Sequence, residues 1–460
     1  MNNSSQFWSN LRSSFWFLPS IMITASIALA VILIEVDSTG LNNWLSQWPR
    51  LFGAGAEGAR LMLSTLAGSM MTVMGITFSM TLLALVLASG QYTSRILNNF
   101  MRNHVTQLTL GFFASIFVYC LIVLRTIRGS GDVDEFVPSL AVFFALLMSI
   151  GGVGLLIFFI HHIASSIQAA SIIASVAQET NSCLERLLPE ASDPQPDNES
   201  RNQSIELLHE KSWYPVPALE SGYILSVNNS KLLRLASDNS TMARMEHGIG
   251  AFVVQDTALV SLALNCPPNQ KIIDAFNGAY TIGRHRTVDQ DPAFGVRQIV
   301  DIAMKALSPG INDTSTAVIC VDYLTSILSR LCLRQFPPLH YYKGKTLRII
   351  AIAPTFEGLL AESFDQIRNS AKENVAILVR MLSALDTIGS LTIRPSYLKA
   401  LDQQLLRIAE LVDHWIELRH DRIRLENKLS KVRKTLEAQL PLRSMDNKGI
   451  SQQEGSVKHP

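Results

Sequence analysis

The sequence contains little charge for its length. Asp, Glu, Lys and Arg make up 17% of its 460 residues, whereas hydrophobic residues make up 48%. Average soluble domains carry about 25% charged residues. The 39 basic and 38 acidic residues nearly cancel, which leaves a formal net charge of +1. This balance excludes the strongly basic field that nucleic-acid binding requires. The expected partner is therefore the lipid bilayer, and no nucleic acid.

Cysteine motifs and catalytic signatures are also missing. The five cysteines are scattered, without a CxxC pair or clustered histidines, so neither a disulfide framework nor a zinc site is predicted. Free thiols favour a reducing compartment for the soluble part. The sequence lacks the P-loop, HExxH and GxSxG patterns in their required contexts. We therefore predict no catalytic residues, no metal and no cofactor.

Long hydrophobic runs dominate the first third of the chain. A helix needs about 20 apolar residues to cross a bilayer, and four stretches meet that requirement: 15–36, 61–89, 105–124 and 137–160. Ala28-Leu29-Ala30 has the small residues of a signal-peptide cleavage site, but the apolar run continues beyond it. That continuation favours a retained span. Four spans place both termini on the same side of the membrane.

The charges around the spans give the expected orientation. Arg12 precedes the first span, and Glu35 and Asp37 lie at its end, which favours a cytoplasmic N-terminus. Four arginines on the opposite side weaken this bias: Arg50, Arg60, Arg125 and Arg128. The even number of spans and the free thiols favour a cytoplasmic soluble domain. No Asp, Glu, Lys or Arg lies at the middle of any span, which disfavours an ion-coupled transporter.

The second span has a face of small residues. Gly68, Thr72, Gly75 and Ser79 recur at spacings of four, three and four, so they share one side of a helix. Small residues let membrane helices approach closely, and hydroxyl groups can form hydrogen bonds across the contact. One interpretation is tight packing against another helix. The other is a water-filled path lined by several subunits of a homo-oligomer.

The soluble part is predicted to combine strands and helices, which makes the fold class α+β. Strands are expected at 222–228 and 347–353, with a hairpin formed by 250–254 and 258–262, as in a small β-barrel or sandwich. Helices are expected at 294–307, 314–333 and 356–385. The predicted domains are listed by residue: transmembrane 1–162, helical extension and polar linker 163–205, β-rich unit 206–292, helical unit 293–440, and disordered tail 441–460.

The last predicted helix has a nearly heptad pattern. Apolar residues recur every three or four positions from Leu398 to Leu436, with an irregular step between Trp415 and Leu418. This pattern is typical of a long coiled-coil helix. A seam between subunits and packing on the same domain are both compatible with it.

Polar residues lie before, within and after the helix predicted at 294–307. The candidate members of this polar cluster are Arg284, Arg286, Asp301, Asn312, Asp313 and Thr314. Asp313 is a natural N-cap for the next helix. A helix N-terminus beside basic residues can bind an anion, which is the functional interpretation. The structural interpretation is a polar turn that orients two packed helices.

Several stretches resemble a family of predicted bacterial membrane proteins known as domain of unknown function 2254. The resembling stretches, in chain order, are Phe15–Pro19, Thr77–Thr81 with Ala88–Arg95, Gly111–Tyr119, Ser221–Tyr223 and Asp301–Asp313 with Thr316-Ala317. Thr314 stands where members of the family tend to have proline. The resemblance implies a membrane location and this order of domains, and it implies no activity.

Together these features predict a multi-pass protein of the bacterial inner membrane. The favoured hypothesis is an oligomeric, channel-like protein with a cytoplasmic regulatory domain. The alternative is a membrane-anchored sensor or scaffold whose soluble domain binds a ligand or a protein partner.

Overall fold

The structure is a computed structural model that describes residues 16–39, 55–91, 104–128, 136–166, 168–189, 212–392 and 394–439. It divides into two compact units, Met1–Ser171 and Ile172–Pro460. The first unit contains four helices long and apolar enough to cross a membrane, which confirms the predicted spans. Their bounds are α1 Phe17–Ser38, α2 Ala56–Gln91, α3 His104–Thr126 and α4 Ser139–Ser166.

Helix α3 is the centre of the membrane unit. In α3, 56% of the most apolar stretch is buried inside the unit, whereas the corresponding share is 17% to 22% in the other three helices. Gly111 of α3 brings the backbones of two helices together, because a Cβ atom there would lie 3.0 Å from the Cα atom of Pro19 in α1. Gly152 of α4 faces Phe113 of α3 in the same way, at 3.3 Å from the ring. Such small residues let helices associate closely where no water is present.

Polar groups inside the membrane unit are bonded between helices. Ser26 of α1 donates a hydrogen bond to the Ser115 carbonyl at 2.7 Å, and the Tyr119 hydroxyl donates to the Ala141 carbonyl at 2.9 Å. The ends of the helices are joined as well. Asp37 accepts hydrogen bonds from the first backbone N–H groups of α4, at Leu140 and Ala141. These bonds satisfy groups that hydrocarbon would leave without partners.

Arg60 supplies the matching bond at a helix C-terminus. Its guanidinium group donates to the Ile127 carbonyl just beyond α3, at 2.9 Å. A cation there is favourable, since the C-terminus of a helix carries partial negative charge. Arg60 and Asp37 therefore have structural partners at the ends of the membrane helices.

The second unit mixes helices and strands, so the predicted α+β fold class is confirmed. The strands are β1 Trp213–Pro217, β2 Gly222–Val227, β3 Ala243–Met245, β4 Phe252–Val253, β5 Ala258–Ala263, β6 Tyr280–Gly283, β7 His340–Lys343 and β8 Thr346–Ile350. The helices are α5 Ala169–Leu187, α6 Asn229–Asp238, α7 Gln270–Asn277, α8 Pro292–Ala306, α9 Thr314–Leu331, α10 Phe356–Ala371, α11 Val375–Leu391, α12 Pro395–Trp415 and α13 Arg419–Gln439.

The strands form two sheets. One has the order β1-β5-β3-β8-β7, with β3 and β8 parallel, and the other has the order β4-β2-β6. One core of buried residues joins both sheets with helices α6 and α7; it includes Val216, Ile224, Leu232, Val260 and Phe276. Because β7 and β8 follow residue 292, the five-stranded sheet uses chain from both of the predicted soluble domains.

The predicted hairpin of 250–254 and 258–262 is wrong. Strand β4 pairs with β2, whereas β5 pairs with β1 and β3 in the other sheet. The turn between them holds Asp256 at φ 65°. Its N–H group donates to the Ala218 carbonyl at 2.9 Å. The turn thus bonds to the segment after β1, and the chain crosses from one sheet to the other.

Two predicted long helices are each divided. The 356–385 helix breaks into α10 and α11, with Asn374 capping α11 through the Ile377 N–H. The coiled-coil-like C-terminal helix breaks at residues 416–418 into α12 and α13. Arg422, which lies between Leu418 and Leu425 in the heptad pattern, donates to the Asp413 and Ile416 carbonyls at the end of α12. The pattern is therefore a helix pair packed on its own unit, and Leu418 is 70% exposed.

Helix α5 is part of the soluble core. It was predicted to continue the fourth span, and residues 167–168 separate it from α4. Cys183 of α5 packs with Val288 and Phe294. Glu185 pairs with Arg330 of α9 at 2.6 Å. At Gly295 of α8, an added Cβ atom would overlap the side chain of Thr180, so α5 crosses α8 with the Thr180 side chain directly against the α8 backbone.

We therefore expect Gly295→Ala to destabilise the soluble unit, although alanine favours a helix. Forcing an extra methyl group into a packed site costs about 1–3 kcal/mol. The measurement is thermal unfolding of the purified full chain, followed by circular dichroism. The double variant with Thr180→Ala should recover stability, because it removes the overlapping atoms. A Gly295→Ala protein as stable as the original chain would contradict this crossing.

Candidate functional site

The small-residue face of α2 lies on the outside of the single chain. Gly68, Thr72, Gly75 and Ser79, which we call the α2 strip, are all exposed. A Cβ atom at Gly68 or Gly75 would meet nothing within 4 Å. Among the described residues, the strip therefore packs against no other helix of the same chain.

The opposite side of α2 makes the internal contacts. Ala59, Leu63, Ala67 and Thr77 are buried there. At 100° per residue, Ala59, Leu63 and Thr77 lie roughly 150–170° from the middle of the α2 strip, and Ala67 lies about 110° from it. Thr72 and Thr65 donate their hydroxyl hydrogens to the Gly68 and Leu61 carbonyls of their own helix, at 2.9 and 2.7 Å. The hydroxyl oxygens, and the backbone beside both glycines, stay accessible.

The polar residues around α8 form separate groups. Arg286 pairs with Asp291 at 2.7 Å and lies over the Phe294 ring, with the guanidinium carbon 5.0 Å from its centroid. Asp291 also caps α8 through the Phe294 N–H at 3.1 Å. Arg284 is exposed on the turn after β6. The N-terminal end of α8 thus uses Arg286 as a structural ion-pair partner.

Asp301 belongs to a second group, midway along α8. It accepts a hydrogen bond from Arg297 at 2.8 Å, and Arg297 also donates to Glu362 of α10 at 3.0 Å. Burial opposes the charge on Arg297, but the bonds to the two carboxylates outweigh it and raise its pKa. This network joins two helices, and its cation is already neutralised.

Asn312, Asp313 and Thr314 form the third group, beyond the C-terminus of α8. Asn312 has a φ of 49°, and Asp313 caps α9 through the N–H and hydroxyl of Thr316 at 3.0 and 2.6 Å. Asn374 donates to the Thr314 hydroxyl at 2.9 Å. Since α8 has 15 residues, it separates this group from Arg286 by about 22 Å. The predicted anion site is therefore not assembled as one pocket.

Sequence reasoning missed three partners of these groups. Gly250, at φ +85°, lies so close to the Arg286–Asp291 pair that a side chain there would strike both residues. Glu362 and Asn374 lie far along the chain from the residues they bind. The Asp291-Pro292 pair was the one available signal, because proline favours the first position of a helix after a capping residue.

The described residues contain no group of three or more His, Cys, Asp or Glu that could hold a metal ion. Four of the five cysteines are buried. Burial raises the pKa of Cys183 and of Cys332 to about 11 and also raises the pKa of Cys320. These three thiols are therefore protonated at neutral pH and poor nucleophiles.

Comparison with known proteins assigns the chain to a family. The sequence profile described as "Predicted membrane protein (DUF2254)" matches residues 12–387. The chain belongs to the DUF2254 family. Uncharacterized proteins of Mycobacterium bovis and Mycobacterium tuberculosis H37Rv are each 29% identical to it over 403 residues, covering 86% of this chain and 75% of theirs. No solved structure matches this DUF2254 protein.

The Asp313 cap leads to a prediction about pH. Hydrogen bonds from Thr316 lower the pKa of Asp313 below its ordinary 3.8. A lowered folded-state pKa stabilises the fold above the unfolded-state pKa, and that contribution is lost as the pH falls through the folded value. Asp313→Ala should cost about 0.5–2 kcal/mol near neutral pH. The loss of stability caused by Asp313→Ala should become smaller at pH values below 3.8, because the carboxylate of the original chain then becomes protonated.

Chemical denaturation of the full chain at several pH values measures this difference. The matched control is Asp402→Ala, because Asp402 is exposed on α12. Asp256 is unsuitable as a control because it has a positive φ. A pH-independent cost for Asp313→Ala would show that the carboxylate charge at the cap contributes nothing.

Proposed function

We propose that this DUF2254 protein is an oligomeric, channel-like protein of the bacterial inner membrane, with its termini and soluble unit in the cytoplasm. Copies of the chain associate through α2, and the α2 strip lines a polar path between them. The observation that carries this proposal is the position of the strip, which is exposed on the side of α2 that faces away from the residues packed inside the chain.

The composition of the strip supports a partner other than lipid. Membrane-facing surfaces of the other spans carry large apolar side chains, such as Val31, Ile150 and Ile157 at 55%, 62% and 66% exposure. Large exposed residues of α2, such as Met71, Ile76 and Phe78 at 48%, 52% and 47% exposure, flank the strip along its length. Between them, glycine, serine and threonine expose backbone and hydroxyl oxygens. Contact with another helix or with water satisfies such a surface better than hydrocarbon does.

The connection between units supports regulation by the soluble part. Helix α4 leads within two residues into α5, and α5 is fixed by Gly295 and Arg330 of the soluble unit. The alternative, a sensor or scaffold that binds an anion around α8, has less support because Arg286, Arg297 and Asp313 already bond to groups of this chain.

Gly75→Leu tests the association. The side chain enters open space in the single chain, so it leaves the internal packing intact, but in the oligomer its bulk would enter the path between neighbouring α2 helices and push them apart. We expect light scattering, corrected for detergent mass, to give a defined oligomer for the original protein and smaller species for Gly75→Leu. Ile157→Phe, on an exposed side of α4, should leave the oligomer unchanged. A monomeric original protein would refute the proposal.

Cysteine labelling tests the polar path. In a Cys266→Ser background, which removes the exposed thiol, cysteines replace Gly75, Ser79 or Ile157. Ala84 packs with Phe159 and Ile163, so Ser79 and Ile157 lie at a similar depth. A membrane-impermeant, charged thiol reagent should modify positions 75 and 79 and spare 157. If an oligomer forms but both strip positions resist the reagent, α2 is a dry packing face and the channel-like function is wrong.

A further inference from the structure

Helix α2 has one acidic side chain, and this side chain lies in line with the α2 strip. Glu57, in the first turn of the helix, is exposed. At 100° per residue, Glu57 lies about 30° from the middle of the α2 strip, which is the same side of the helix. An oligomer that arranges the strips around a path therefore also arranges one Glu57 from each copy around that path.

Glu57 lies at the end of the path, outside the hydrocarbon. Helix α2 has 36 residues, so it is about 54 Å long, whereas the hydrocarbon core of a bilayer is about 30 Å thick. The α2 strip lies at the middle of the helix, and Glu57 lies about 25 Å from that middle along the helix axis. The carboxylate is therefore at a mouth of the path, where it stays in contact with water.

The one basic residue of α2 belongs to another side of the helix. Arg60 lies about 90° from the middle of the strip, and its guanidinium group donates to the Ile127 carbonyl beyond α3 at 2.9 Å. Exposed Arg125 and Arg128 belong to the same end of α3, and α3 packs on the side of α2 that faces away from the strip. Of the charged residues of α2, Glu57 alone faces the path.

Hydroxyl groups beside the strip present oxygen atoms, and not hydrogens, to the path. Thr65 and Thr72 donate their hydroxyl hydrogens to the Leu61 and Gly68 carbonyls of their own helix. Each hydroxyl oxygen keeps lone pairs, and oxygen ligands of this kind suit hard cations. An anion would need hydrogen-bond donors, and these two groups have already used theirs.

We propose that the path between the α2 helices admits small cations in preference to anions, with the Glu57 carboxylates forming an acidic ring at one mouth. This inference rests on the channel-like function proposed above, and it assigns the class of permeant. A ring of Asp or Glu side chains concentrates cations at the mouth of a pore and repels anions. The oxygen atoms along the strip then replace part of the water around the cation.

Ion selectivity of the reconstituted full chain tests the acidic ring. In planar bilayers with a gradient of potassium chloride, the reversal potential gives the ratio of potassium to chloride permeability. We expect the original chain to favour potassium, Glu57→Gln to lower the ratio severalfold, and Glu57→Lys to favour chloride. The matched control is Glu35→Gln, which removes an exposed carboxylate at the same end of the membrane unit, on α1. This control should leave the ratio unchanged.

Chemical restoration of the charge separates an electrostatic role of Glu57 from a structural one. In the Cys266→Ser background, which removes the exposed thiol, cysteine replaces Glu57. It is then modified with a methanethiosulfonate reagent that carries either a sulfonate or a trimethylammonium group. The sulfonate should restore the preference for potassium, and the trimethylammonium should give a preference for chloride, because the two labels differ in the sign of their charge.

The outcomes distinguish this inference from the proposed function. A chain that conducts but favours chloride, or a permeability ratio that neither Glu57→Gln nor the charge of the label changes, overturns the acidic ring and leaves the channel-like function standing. An equal effect of Glu35→Gln also overturns the ring, because the carboxylates would then act as general surface charge. A reconstituted chain without conductance overturns the proposed function and this inference together.

Discussion

The membrane unit depends on helices that pack closely although no hydrophobic effect drives them together in the bilayer. Lipid is as apolar as the side chains it surrounds, so burial of leucine drives little association there. Helix α3 meets this constraint with Gly111 against Pro19 and with the hydroxyl of Tyr119 bonded to the Ala141 carbonyl. Asp37 and Arg60 complete the arrangement by bonding backbone groups at the ends of α4 and α3. Asp37 and Arg60 are thus used in holding helices together.

The same constraint gives α2 two unlike sides. Its inner side places alanines against α3, where small size permits contact and the burial of Leu63 fills the space. Its outer side has glycine, serine and threonine over the same length of helix, without an intramolecular partner among the described residues. Two faces rich in small residues on one helix are more than the packing of a single chain requires. The second face is therefore the place where a function formed between chains has physical support.

Much of the fold was predictable because its signals are local. Span lengths follow from uninterrupted hydrophobic runs, and the caps Asp291 and Asp313 lie directly before the helices they begin. The side of α2 that packs was not predictable. Apolar residues surround that helix, and Thr77 is buried while Thr72 is exposed, although the two differ in nothing but their angular position.

The grouping of charges was harder to predict for a related reason. Residues 284–314 look like one cluster in the sequence, but α8 places their two ends about 22 Å apart. Their partners, Gly250, Glu362 and Asn374, come from distant parts of the chain. The division of the C-terminal helix likewise depends on Arg422 bonding carbonyls at the end of α12. A heptad pattern carries no information about such a bond.

The charged residues of the soluble unit and the small residues of α2 have different implications for function. Conspicuous charges of the soluble unit are paired with each other, as in Arg286–Asp291 and Arg297–Asp301, so the chain itself satisfies them. The α2 strip is instead exposed, and no other helix among the described residues covers it. The physical case for the proposed function therefore rests on this uncovered strip, and not on the charged residues that the sequence makes most visible.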